Sequence, residues 1–269
     1  VYELTNDIDA SGFKWLPYEF RGVIYGSGFK ITSLSIVIEN ESNDQQYYGL
    51  FSHLSAGIID SLGIEDLYIS IKTKGYTVVG GLVGRSSSSK ITNSYVENTT
   101  VTVTTDSNAY VGGLVGAGES SYSSASEITN SYVDNTTLTV TTDSGARVGG
   151  LVGTFSSHSE ITNSYVENTT VTVTTYSTAR VGGLVGESQS SKITNSYVEN
   201  TTLVVESSYA YVGGLVGISY SPSSITNSYV ENTTLTVTTE SSADVGGLVG
   251  SSSSITNSYV ENTTLTVTT

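Results

Sequence analysis

Residues 148–175 read VGGLVGTFSSHSEITNSYVENTTVTVTT, and this stretch recurs along most of the chain. GGLVG begins at residues 80, 112, 149, 182, 213 and 246, and ITNSYV at 91, 128, 161, 193, 225 and 255. From each ITN to the next GGLVG the separation is 20 or 21 residues, whereas from each GGLVG to its own ITN it varies from 9 to 16. The variable arc is Ser-rich, as in Arg85 to Lys90 or Ala117 to Glu127. An arc that absorbs every insertion is a surface loop at one corner of the repeating unit.

A repeat of this size is either a helical array or a coil of parallel strands. Runs such as Val101-Thr-Val-Thr-Thr105 and Leu138-Thr-Val-Thr-Thr142 alternate β-branched residues and lack the Ala, Leu, Glu and Lys content of helices. Side chains of a strand alternate between faces, so Val101 and Val103 point one way and Thr102 and Thr104 the other. One coil alone cannot bury its apolar face, but stacked coils bury Val on Val and Ile on Ile. The expected fold is all-β: a parallel β-helix, or β-solenoid, with three short strands per coil around VGGLV, ITNSYV and TLTVT. Strict alternation would bury Val111, Gly113 and Val115 and leave Leu114 in water, whereas a bulge at the glycines would admit both Leu114 and Val115.

Composition excludes several functions. The chain has 269 residues with 10 basic and 25 acidic side chains, a net charge of -15, so no basic footprint for nucleic acid is present. No window approaches the ~18 apolar residues of a membrane helix, so no direct membrane insertion is expected. Cys is absent, which removes disulfides and thiolate metal sites. The first residue is Val and Met is absent, which suggests a processed chain or a segment of a larger one.

GGLVG followed by I-T-N-S-Y resembles the GLUG motif, found in tandem in bacterial surface proteins, including large adhesins and non-catalytic parts of some immunoglobulin A proteases. The opening resembles that family's lead-in through Leu4-Thr-Asn-Asp-Ile-Asp9, Trp15-Leu-Pro17, Phe20-Arg-Gly22, Gly26-Ser-Gly28 and Gly49-Leu-Phe51. Many members carry Cys where this chain has Ser94, Ser131, Ser164, Ser196, Ser228 and Ser258. The resemblance implies a right-handed parallel β-helix at the cell surface, outside the cell. Residues 1–79 are expected to form irregular coils that cap the core, and 80–269 six repeats of which the last is open-ended. Thr269 closes a third strand where another GGLVG would start, so further coils or end-to-end pairing with another copy are expected.

Stacking turns each repeat position into a column with rungs about 4.8 Å apart. Asn93, Asn130, Asn163, Asn195, Asn227 and Asn257 are expected to form a structural amide ladder at a turn. Tyr95, Tyr132, Tyr165, Tyr197, Tyr229 and Tyr259 form either a stiffening ring stack or a platform for host or environmental glycans. Glu97, Asp134, Glu167, Glu199, Glu231 and Glu261 form an acidic column, read as solvated; calcium is the one cofactor it suggests, weakly, because no loop supplies six to eight oxygens. Asn98, Asn135, Asn168, Asn200, Asn232 and Asn262, with Asn40, fit the N-glycosylation acceptor pattern. Outward Thr pairs such as Thr102 with Thr104 and Thr139 with Thr141 resemble the ice-binding faces of some β-solenoids, but Val204 and Glu206 interrupt them.

Catalysis is not expected. His53 and His158 occur singly, the repeated acids form a uniform line, and Asp7 with Asp9 suits a turn, so no nucleophile, base and orienter assemble. The sequence therefore points to a structural segment of an extracellular protein, an adhesin stalk or filament subunit. Partner binding through the tyrosines and ice binding through the threonines are its alternatives.

Overall fold

The structure, a computed structural model, describes residues 1–119, 125–251 and 254–269; part of the longest Ser-rich loop, between Ala117 and Glu127, lies outside them. It is an all-β parallel solenoid of about eight coils, with no helix among the described residues. One coil shows the path. Glu160–Thr162 forms an isoleucine wall, Tyr165–Glu167 a tyrosine wall, Thr170–Thr175 and Thr178–Gly182 a two-part threonine wall, and Val185–Gln189 a glycine wall. Corresponding strands of successive coils pair in parallel with like residue opposite like, for example Tyr132 with Tyr165 and Val133 with Val166. Nine strands of the isoleucine wall, at about 4.8 Å each, make the stack roughly 40 Å long.

The expectation of three strands per coil is corrected to four walls, with five strands in the coil described and four where Thr202–Gly213 and Thr234–Gly246 each run unbroken through the threonine wall. ITNSYV is not one strand, because Asn163 stands at φ 50° and turns the chain between the isoleucine and tyrosine walls. Asn168, at φ 46°, makes the next corner. Asn tolerates this left-handed region better than branched residues, which is why both corners carry it. VGGLV is likewise split, with Gly113 and Leu114 forming a corner between Ala109–Gly112 and Val115–Glu119. At that corner Leu114 and Val115 both donate their N–H groups to Leu151 O, at 3.0 and 3.1 Å. Two residues opposite one is a bulge-like arrangement, and both side chains are fully buried. The glycines are required by close approach: a Cβ on Gly149 would lie 2.7 Å from Leu184 O and overlap Val152 O.

The core is a continuous column. In one coil Ile161, Val166, Val171, Val173, Ala179, Val181, Leu184 and Val185 are all fully buried. Each large one contributes ~1.5–3 kcal/mol by leaving water. The coils before residue 80 follow the same path through Ile58–Asp60, Gly63–Glu65, Tyr68–Thr73 and Thr77–Gly80. Their left-handed corner residues are Ser61 and Asp66, and Leu62 and Leu67 fill the corners behind them.

Candidate functional site

Every corner must turn the backbone while its N–H and C=O groups stay paired, and buried hydroxyls do much of this. Ser164 Oγ donates to Thr162 O at 2.9 Å and accepts from the N–H of Ser131 in the preceding coil at 3.2 Å. Ser94, Ser131, Ser196 and Ser228 repeat this pattern. At the next corner Thr99, Thr136, Thr169, Thr201 and Thr233 each donate to the carbonyl two residues earlier. These two buried columns had a sequence signal, a hydroxyl directly after each corner Asn. The sequence reading noted the serines without giving them a role.

The asparagine ladder stands as expected. Asn130, Asn163, Asn195 and Asn227 each donate from Nδ2 to the Oδ1 of the preceding rung at 3.1–3.2 Å. Asn93 ends it by donating to Asp60 Oδ1 at 2.9 Å, an anchor the sequence reading missed. The Asn98 series also occupies exposed left-handed corners, and Asn135 donates to Asn98 at 2.6 Å. The N-T-T acceptor pattern thus coincides with a corner that needs Asn for its φ and Thr99 for its buried hydroxyl. Asn40 is half-buried and caps a turn by accepting from the Ser42 N–H.

The tyrosine wall brings two expected columns together. Adjacent rings from Tyr95 to Tyr259 stack at 4.8–5.1 Å with interplanar angles of 2–5°. Tyr132 donates to Glu97 at 2.6 Å, and Tyr229 to Glu199 at 3.0 Å, so each of these hydroxyls reaches a carboxylate of the preceding coil. Each inner ring is covered on both faces by its neighbours, so of the two readings of the column the ring stack is the one formed, and it leaves edges rather than faces outward. The stack begins over Gly63, where an added Cβ would overlap the Tyr95 ring, and Tyr95 donates to Glu65, which Lys30 pairs at 2.8 Å. The carboxylates are spaced one per coil, and Glu97, Glu167 and Glu199 each accept a tyrosine hydroxyl hydrogen bond from the next coil. Among the described residues no group of three or more His, Asp or Glu is placed to hold a metal ion.

Electrostatics follow from this geometry. Burial, then the charges of Glu199 and Asp134, raise the Glu167 pKa. Burial, then the charges of Glu167, Asp134 and Glu97, push the Tyr165 phenol up to about 12. Because the folded chain holds the Glu167 proton more tightly than the unfolded chain, the stability linked to it is full below the unfolded value and is lost as pH rises through the folded one. Glu167→Gln should therefore melt at a higher temperature than the parent at pH 7, with the difference closing near pH 4 or below. Thermal melts of the two proteins across that range check it, and the paired design cancels Asp60, whose lowered pKa acts in the opposite direction.

The threonine wall carries outward Thr100, Thr102 and Thr104 in register with Thr137, Thr139 and Thr141, a three-column lattice where two columns were expected. Val204 and Glu206 stand in the same columns as Thr172 and Thr174 and break the lattice. Asp9 accepts from the Ser11 N–H two residues on, a turn contact, whereas Asp7 accepts from the Lys30 N–H of the next coil and ties coils together rather than fixing a turn. His158 sits in a left-handed corner at φ 65°, and His53 packs against Tyr47 with ring centroids 4.1 Å apart.

One cluster had no sequence signal. Arg147 and Arg180 both pair with Glu187, at 2.6 and 3.1 Å, and Arg147 lies over the Tyr110 ring at 4.3 Å. These residues vary between repeats, so only the in-register stacking of Tyr110, Arg147, Arg180 and Tyr211 brings them together.

Comparison with known proteins agrees with this architecture. The GLUG motif matches residues 75–102, 177–204 and 208–238. No curated protein sequence matches significantly. Among solved structures, the chain is similar to a Bacteroides ovatus protein named as a candidate immunoglobulin A1 protease, with 21% identity and a TM-score of 0.57, covering 97% of this chain and 77% of that one. An IgA1 protease structure aligns at 14% identity and a TM-score of 0.49, with 96% of this chain covering 20% of that one. The first likeness carries the β-helical fold. The chain is a β-solenoid that carries GLUG-motif repeats.

Proposed function

We propose that this chain is a non-catalytic structural segment of an extracellular, cell-surface protein, a stalk-like scaffold that holds other parts in place. The observation that carries the reading is continuity: backbone pairs, corner hydroxyls, asparagine amides and tyrosine rings each run from coil to coil. A pull along the axis is then opposed by many bonds at once, and the Ser- and Thr-rich surface stays hydrated. Its partners in this reading are further coils or other copies stacked end to end, and the uniform acidic face keeps copies from clumping side by side. The similarity to proteins named as immunoglobulin A1 proteases supplies the decisive assay. Human immunoglobulin A1 incubated with the purified chain should keep an intact heavy chain on a denaturing gel. Discrete heavy-chain fragments, abolished by a point substitution in this chain, would overturn the non-catalytic reading. Immunolabelling of intact producing cells should stain their surface, and staining only after permeabilisation would overturn the location.

A further inference from the structure

The stacked walls leave one strand position empty. The glycine wall starts with Tyr18–Phe20 beside Phe51–Ser55, but the second half of the threonine wall starts one coil later, with Gln46–Tyr48. Gln46–Tyr48 pairs only with Thr77–Gly80, so its other edge has no strand beside it. Leu16 and Pro17 cross at a distance instead, and the space between is a depression of about 500 Å³. That volume falls in the range of small-molecule sites.

Its lining differs from the rest of the surface. In a chain of net charge -15, no Asp, Glu, Lys or Arg lines the depression. Asn40, Gln45 and Gln46 supply carboxamides, Ser52 a hydroxyl and His53 an imidazole, while Leu16, Pro17 and Ile38 supply apolar surface. Carboxamides, hydroxyls and neutral imidazole both donate and accept hydrogen bonds, which matches sugar hydroxyls, themselves donors and acceptors. The Gln45 and Gln46 carboxamides make no side-chain hydrogen bond among the described residues, so bound hydroxyls would not have to displace an internal partner. The floor is held in place from behind. Tyr47 contacts both His53, with ring centroids 4.1 Å apart, and the Arg85 guanidinium at 5.7 Å, His53 and Arg85 being register partners, and Glu119 anchors Arg85 at 2.5 Å. Burial, then the Arg85 charge, lowers the His53 pKa, consistent with a neutral ring facing the depression.

We infer that this depression is a binding site for a neutral pyranoside, with its C–H face on Leu16, Pro17 and Ile38 and its hydroxyls on Asn40, Gln45, Gln46 and Ser52. The site is separate from the tyrosine wall and from the scaffold role, and it exists because a strand is absent from the first coil.

The test is an amide-resolved NMR titration of the full chain with the methyl glycosides of glucose, galactose, mannose and N-acetylglucosamine, each taken to tens of millimolar. At least one is expected to shift the Gln45 and Gln46 side-chain amides and the Ser52 and His53 backbone along a saturable curve, with a dissociation constant in the millimolar range. Gln45→Ala, on an exposed loop, should keep the parent's dispersed spectrum and weaken that glycoside by about fivefold, the scale of one lost hydrogen bond. Gln46→Ala provides the second variant. Absence of saturable shifts at these residues with all four glycosides, equal affinity in both variants, or tighter binding of a methyl glucuronide would overturn the proposal. Saturable binding there of an extended peptide but of no glycoside would also overturn it, by assigning the open strand edge to a protein segment.

Discussion

Gly149→Ala should lower the melting temperature by about 5 °C, from a loss of about 3 kcal/mol. The new methyl would overlap Val152 O and lie 2.7 Å from Leu184 O and 2.9 Å from Gly186 N, all backbone atoms. A flexible side chain could swing away; a stacked corner cannot, because each carbonyl there is already in the ladder to the next coil. Gly145→Ala is the matched control. Its Cβ would meet only the Asn108 side chain at 2.8 Å and otherwise nothing closer than 3.8 Å, so its melt should stay within about 1 °C of the parent. Equal melts for the two variants would show that the glycine corner is looser than described.

The second large effect is expected at the hydroxyl columns. Ser164→Ala keeps Cβ and removes only the hydroxyl, and with it the acceptor for the Ser131 N–H and the donor to Thr162 O. Leaving a buried N–H unpaired costs about 1–3 kcal/mol, and the lost hydroxyl donor adds to it, so a destabilisation of about 3 kcal/mol is expected in denaturant melts. Ser164→Cys should cost less, since a thiol retains weak donor and acceptor capacity. Thr139→Ala on the outward face of the threonine wall should change stability by about 0.5 kcal/mol or less. A Ser164→Ala variant as stable as Thr139→Ala would mean that water or backbone movement satisfies the corner.

Much of this fold was legible because one coil is written six times. The Val-Thr alternation gave the inward and outward faces of the threonine wall, and register then followed from identity: Tyr stacks on Tyr and Asn on Asn. What period-two reasoning could not see was the corners. ITNSYV has the length and alternation of one strand, yet a single φ of about 50° at Asn divides it, and the chain's preference for that conformation competes with its β propensity. The coils before residue 80 hide the same corners under different residues, since Leu62 and Leu67 occupy the places of Ser94 and Thr99.

The candidate sites divide along the same line. The asparagine ladder needed only residue type and repetition. The tyrosine column was found, but whether its rings present faces or edges depends on tilt, and near-parallel stacked rings with centroids 4.8 Å apart leave edges outward. The Arg147–Glu187–Arg180 cluster and the uncharged depression were not legible. Both depend on residues that differ between coils, and the depression arises from a strand that one coil lacks.

The central claim is that the coils form one continuous, nearest-neighbour-coupled stack whose bonds share load. Single-molecule pulling on the two ends of the chain tests it most directly. With 32 residues between Ile161 and Ile193, and an extended reach of about 3.3–3.6 Å per residue, each released coil should add roughly 110 Å of contour length. The account predicts a series of force peaks spaced by about that length. A featureless extension at low force, or increments unrelated to one coil, would contradict it.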